Sequence, residues 1–260
     1  MTTPTLSKNM PVTSFSEVIA RLEQIIAQAK SNESPLGYFA ALYYKMTLAV
    51  RDAVVRGEFE NGSRMEQMDV AFARRYFDAL DTWQSGGTPS KSWKIAFDCT
   101  QNEQLTVMQH LMLGMNAHIN LDLGIAAASI RQRDAIFGMR KDFMHINQII
   151  ESLTDQTQGQ LARIWLPFGW LDTFLRSDDE GWIGFSISAA RGASWKAAQM
   201  VAFAPDLATE QTIIADLDTG VAFFAQKFQS PRFWLSWVLR WMRYSEDGTV
   251  SEKIGVLEGI

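Results

Sequence analysis

Residues 110–123 read HLMLGMNAHINLDL. His110, Gly114, His118 and Asp122 recur every four positions, so on a helix of about 3.6 residues per turn they climb one side with a drift of roughly 40° per step. Asn116 and Asn120 lie between them, and the intervening residues are Leu, Met, Ala and Ile. A polar group left unpartnered in such surroundings costs roughly 1–3 kcal/mol. The stretch is therefore either a closed hydrogen-bond network or a ligand site inside a helical core.

The segments on either side share the helical period. Ser14 precedes Val18, Ile19, Leu22, Ile25 and Ile26 at three-and-four spacing, with Glu17 in the first turn. Pro35 opens a second helix to about Arg56, closed by Gly57, and a third runs over 63–83 until Ser85-Gly86-Gly87. A short helix passes through Trp93 and Phe97, and Asn102 is read as the cap of the motif helix, which extends to about Arg131. Helices are expected over 134–152, 158–175, 178–203, 206–228 and 231–244, with residues 182–187 the one stretch that also reads as a short strand. The fold expected is all-α, a single-domain bundle of about eight to ten helices over 13–260, preceded by a flexible arm at 1–12.

Composition narrows the function classes. The 260 residues are 47% hydrophobic and 20% charged with a net charge of −5, and basic and acidic residues are interspersed. No basic stripe is available to follow a phosphate backbone, so nucleic acid is not an expected partner. No apolar run reaches the ~18 residues of a transmembrane helix, and the first residues lack the pattern of a secretory signal, so the expected location is the cytoplasm. The single cysteine, Cys99, has no basic neighbour and reads as an inert buried thiol. Trp234, Trp237 and Trp241 repeat on one helix face, as core residues, as the lining of an apolar pocket, or as a homodimer contact.

His110 and His118 would stand about 12 Å apart along a helix axis, whereas His118 and Asp122 are only about 6 Å apart, close enough to converge on one atom. An i, i+4 pair of this kind is one half of a metal site, and the remaining ligands would come from other helices. Asp69 on the third helix and Asp142 on the helix after the motif are the candidates, with zinc the expected divalent ion. His145, three residues from Asp142, and His110 are candidate acids or bases. Asn116, Asn120 and Arg75 are expected to line a substrate pocket. An exposed face for Asp142 and His145, and a simple structural hydrogen bond between His118 and Asp122, stand beside these readings.

GMNAHINLDLGIA, together with Met68-Asp69-Val70, FARRY at 72–76, Trp93 with Ala96-Phe97 and the segment 142–147, resembles a bacterial family catalogued as domain of unknown function 5995. That resemblance spans about residues 35–155 and implies an all-helical domain without an established activity. More distantly, the His118-x-x-x-Asp122 box resembles part of the ligand set of zinc-dependent phospholipase C and related helical nucleases. Those enzymes use more ligating histidines than the three in this chain, so what the resemblance implies is at most a single metal.

Two functional readings follow. One is a metal-assisted hydrolase acting on a phosphoryl or acyl ester with an apolar portion, with His118 and Asp122 and either Asp69 or Asp142 holding the ion. The other is a small-molecule-binding or structural protein in which His118 and Asp122 belong to a buried hydrogen-bond network; a metal-free acid–base enzyme lies between them.

Overall fold

A computed structural model describes residues 12–149, 187–230 and 233–259, and among these every regular element is helical. In chain order they are α1 (Phe15–Ser31), α2 (Leu36–Val55), α3 (Gly62–Gln84), α4 (Lys91–Asp98), α5 (Val107–Ala117), a π-helical turn (His118–Asp122) and α6 (Leu123–Ile130). A 3-10 segment (Arg133–Met139) leads into α7 (140–149), and α8 (Ile187–Ala202), α9 (Leu207–Gln229), α10 (Phe233–Ser245) and α11 (Val250–Glu258) follow. The expected helix over 158–175 and the strand alternative at 182–187 lie outside the described residues apart from Ile187, which starts α8. The arm at 1–12 likewise lies outside them except for Val12, which is buried. None of the described helices is long and apolar enough to cross a membrane.

Local chemistry explains most helix starts. The Ser14 hydroxyl accepts from Glu17 N, Asn61 Oδ1 accepts from Arg64 N, and Asp206 Oδ1 accepts from Thr209 N, each supplying a partner to a donor the first turn leaves unpaired. The motif helix begins at Val107 rather than beside Asn102. Thr106 and Gln109 form a reciprocal capping box there, while Asn102 Oδ1 accepts from Gln104 N in a local turn. α11 has the same device in Thr249 and Glu252.

Apolar faces meet in two main clusters. Val18, Leu22, Tyr38, Phe39, Tyr76, Trp93 and Leu113 bring α1 to α5 together, with Phe228 of α9 and Ile254 of α11 closing one side. Met65, Met68, Leu123, Ala127, Phe143 and Trp195 bind α3, α6, α7 and α8 together. At roughly 1.5–3 kcal/mol for each large apolar side chain buried, these faces supply most of the drive to assemble the helices. The chain from α5 to α6 runs from the first cluster into the second, and the π turn stands where it crosses.

Trp195 is core, packed 5.0 Å from the Phe143 ring. Trp237 and Trp241 are not, being 62% and 57% exposed. Leu239 and Met242 form the buried face of α10, and residues two or five positions away from them turn outward.

Candidate functional site

The π turn fixes the geometry of the motif. Leu123 N donates to the His118 carbonyl five residues back, and the Ile119 carbonyl inside the turn is taken by the Ser194 hydroxyl of α8. Single π turns within α-helices commonly sit at functional positions because they displace side chains from the regular register.

Asn116, His118 and Asp122 are 0%, 2% and 1% exposed, yet the polar residues of this stretch do not converge as the sequence led us to expect. Two positions on a helix are about 200° of rotation, so Asn116 and Asn120 face one way and His118 and Asp122 the other. Asn116 Nδ2 donates to the Val221 carbonyl of α9 at 2.9 Å, and Asn120 Nδ2 donates to Asn116 Oδ1 at 2.9 Å. This pair docks α9 and lines no site with His118.

On the opposite face Asp122 is the centre of a network. Its Oδ1 accepts Arg75 Nε at 2.7 Å, and its Oδ2 accepts the Trp93 indole N–H at 2.7 Å and lies 3.4 Å from His118 Nδ1. Arg75, on α3, turns inward to this carboxylate, while its neighbour Arg74 donates to the Val12 carbonyl. The resulting order, Arg75 to Asp122 to His118, fixes the tautomer: Nδ1 carries the proton toward the carboxylate, and Nε2 keeps its lone pair.

Aromatic rings enclose that imidazole. Phe72 stacks on it with centroids 3.5 Å apart at 8°, Tyr43 meets it edge-on at 4.5 Å, and Phe39, Trp93 and Tyr76 stand at 5.5, 6.0 and 6.1 Å. Burial pulls the His118 pKa below its ordinary value against the opposing pull of Asp122, so the ring is neutral at pH 7. Its Nε2 is buried and has no hydrogen-bond partner.

Three more buried polar atoms share that condition: Tyr43 Oη, Thr47 Oγ1 and Asp69 Oδ2. Tyr43 and Thr47 lie one turn apart on α2, their hydroxyls close together but without a well-formed hydrogen bond between them. Burial, reinforced by the Glu66 charge, pushes the Asp69 carboxyl up to about 7. The same Asp69 charge, after burial itself, drives the Tyr43 phenol well above its usual range. α2, α3 and the π turn thus each bring unpaired polar atoms to the aromatic enclosure. Tyr43 and Thr47 went unread in the sequence, although a Thr within the buried stripe of α2 was the available signal.

Other expected positions lie elsewhere. Asp142 is buried and fully committed, its carboxylate accepting from Glu60 N at 2.8 Å, Asn61 N at 3.2 Å and Arg64 Nη2 at 2.7 Å. It ties α7 to the start of α3 and is not joined to His118. His145 is partly exposed, with Nε2 3.4 Å from Glu58 Oε2 and its ring against Phe59. His110 packs against Tyr38, with Nδ1 unpartnered and its pKa pulled down to about 4 by burial and then by Arg243, so it is separate from the Asp122 network. Among the described residues no three His, Cys, Asp or Glu side chains come together as a metal-ligand set. Both Asp122 oxygens already face N–H donors, one of them a guanidinium, which is unfavourable ground for a cation.

No curated protein and no solved structure matches the chain, and the likeness to zinc-dependent phospholipase C finds no support. A family model does match, over residues 15–231, a span that includes α2, α3, α4 and the π turn. The chain belongs to that family, described as a family of unknown function, DUF5995.

Proposed function

We propose that the protein binds a small molecule with a largely apolar body and a hydrogen-bonding head in the aromatic enclosure around His118. The observation that carries this reading is the set of four buried polar atoms on α2, α3 and the π turn without a well-formed hydrogen bond among the described residues, His118 Nε2 and Asp69 Oδ2 foremost, since the Tyr43 and Thr47 hydroxyls at least lie close to each other. Buried polar groups in native proteins are paired almost without exception, and a cluster of unpaired ones calls for a bound group. Rings from Phe39, Tyr43, Phe72, Tyr76 and Trp93 suit an aromatic or aliphatic body. His118 Nε2 accepts a hydroxyl or amide proton from the head, and Asp69, near its midpoint at neutral pH, serves as donor or acceptor.

The same groups are arranged for acid–base work without a metal. A neutral imidazole oriented by a carboxylate is a general base, and a carboxyl raised to about 7 is a proton donor at working pH. Acyl-ester hydrolysis is the reaction class this favours. Metal-assisted hydrolysis is the weaker reading, since Asp122 would have to exchange Arg75 and Trp93 for the ion.

Thermal denaturation of the full chain with phenol, p-cresol, benzyl alcohol and benzamide tests the binding reading. A saturable rise in Tm with at least one of them, abolished in His118→Leu and weakened in Thr47→Val, supports it. Equal shifts in wild type and His118→Leu, or none in wild type, overturn it. p-Nitrophenyl ester cleavage by wild type and Asp69→Asn then separates catalysis from binding.

A further inference from the structure

Among the described residues two basic side chains are fully buried, Lys253 and Arg191, while partly buried ones such as Arg64 and Arg75 turn to carboxylates. Arg64 faces Asp142, Arg75 faces Asp122, and Lys253 faces Glu246. Arg191, near the start of α8, is 3% exposed and faces no carboxylate among the described residues. Its Nη2 donates to the Phe143 carbonyl of α7 at 2.5 Å, and its Cζ lies 4.7 Å over the Phe143 ring. Nε is buried with no hydrogen-bond partner.

These contacts leave the guanidinium incompletely satisfied. A carbonyl takes one of its five N–H donors, and the ring face offsets only part of the lost hydration. Burial pulls the group down to about 9, and no counter-charge among the described residues opposes it. A side chain needed only to reach the Phe143 carbonyl would not have to be charged, because an isolated buried charge is among the least favourable things a core can hold. The planar fork of Arg matches carboxylate and phosphate oxygens in paired hydrogen bonds.

We infer that Arg191 anchors an oxyanion site between α7 and α8 that takes the carboxylate or phosphate group of a small ligand, with the unpaired Nε as one of its donors. The site is independent of the reading given to His118. It is joined to it mechanically, because Ser194, one turn further along α8, holds the Ile119 carbonyl in the π turn. An anion seated on Arg191 therefore steadies the helix that braces the His118 turn.

The test is thermal denaturation of the full chain at fixed pH and ionic strength, with chloride replaced stepwise by inorganic phosphate in one series and by acetate in another. Wild type should show a saturable rise in Tm in at least one series, and the series that responds identifies the oxyanion. Arg191→Met, similar in volume and uncharged, should abolish the response, and Arg191→Lys, charged but without the fork, should weaken the apparent affinity at least tenfold. Isothermal titration with the responding anion gives the affinities directly, and Arg191→Lys decides the matter if Arg191→Met does not fold. A response of the same size in the variants, or no saturable response in wild type, overturns the inference.

Discussion

Oδ2 of Asp122 accepts the Trp93 indole N–H at 2.7 Å and lies 3.4 Å from Nδ1 of His118. One oxygen thereby ties α4 to the π turn, while the other holds Arg75 of α3. Three helical elements are registered on a single buried carboxylate. The imidazole it orients is held with one nitrogen committed and the other buried without a partner, its face covered by the Phe72 ring. Structural and chemical roles of Asp122 cannot be separated by removing it, because the same substitution releases the helices and the tautomer together.

Replacing Asp122 by Asn keeps the shape and removes the charge. The amide oxygen can accept from only part of the set of Arg75, Trp93 and His118, and its NH2 faces a donor. Loss of one partner from a buried ion pair costs about 3–5 kcal/mol, and the figure here should fall to about 2–3 kcal/mol because the Arg75 side chain, 32% exposed, can turn to water. Urea denaturation measures this. Arg75→Met should cost more than Asp122→Asn, because it leaves the Asp122 carboxylate, 1% exposed, without its counter-charge, and a double variant should fall short of the sum, since the two residues share one interaction.

Stability should depend on pH from both sides. Asp69 has a folded value of about 7 against an ordinary 3.8, so between those values the folded chain keeps a proton that the unfolded chain has released. Stability therefore falls as pH rises from about 4 to about 7 and stays reduced above it. His110 acts in the opposite sense: its folded value of about 4 lies below 6.5, so stability is full above 6.5 and is lost as pH falls toward 4. His118, also lowered, adds to the acid limb. Asp69→Asn should flatten the alkaline limb, raising stability at pH 8 relative to wild type by up to roughly 4 kcal/mol. His110→Gln should flatten the acid limb. Urea midpoints at pH 5, 6.5 and 8 read both effects, and an unchanged slope in Asp69→Asn would contradict a buried, partnerless carboxyl.

Which of these features the sequence made visible follows from the range of the interactions involved. Helices with a clean apolar stripe and a cap, such as α1 with Ser14, are specified by residues within one or two turns and were legible to within a residue or two. α11 was passed over although Thr249 and Glu252 form a capping box, because Glu246-Asp247-Gly248 reads as a chain break. His118 and Asp122 were legible as a pair at four-residue spacing. Asn116 and Asn120 were drawn into the same group by proximity in sequence, although helical rotation separates them. Of the partners that give the pair its character, Arg75 was already a candidate in the sequence, whereas Trp93, Tyr43 and Phe72 come from three other helices, and no periodicity reports which faces will meet. The π turn has no signature in an apolar pattern. Of the readings open for Trp237 and Trp241, core burial is the one their exposure sets aside, because hydrophobicity alone does not say which of two apolar faces a helix will bury.

Cys99 lies in the first apolar cluster, and burial, with a smaller push from the Asp98 charge, raises its thiol to about 11. Thiolate is the reactive form, so at pH 8 the native protein should react with a disulfide reagent such as DTNB at least a hundredfold more slowly than a small thiol whose pKa is about 8.5. In urea above the unfolding midpoint, reaction should proceed at the small-thiol rate. Fast labelling of the native protein would mean that the α4 end of the cluster opens locally.

Gly114 sits one turn before His118, and a Cβ placed on it would lie 2.5 Å from the Phe39 ring. Phe39 cannot yield freely, since its ring is held against Tyr76 at 5.3 Å, Trp93 at 5.6 Å and His118 at 5.5 Å. Gly114→Ala therefore sets two effects against each other. Ala favours the helix by roughly 0.8–1 kcal/mol over Gly. Overpacking a filled core costs about 1–3 kcal/mol, so the net change should be a loss. The displaced ring also alters the wall beside His118, so any compound that stabilises wild type through the imidazole should do so less in Gly114→Ala, with Phe39→Leu as the companion variant that restores room. If Gly114→Ala is as stable as wild type and keeps its ligand response, α5 and α2 are not in the close contact on which the enclosure around His118 depends.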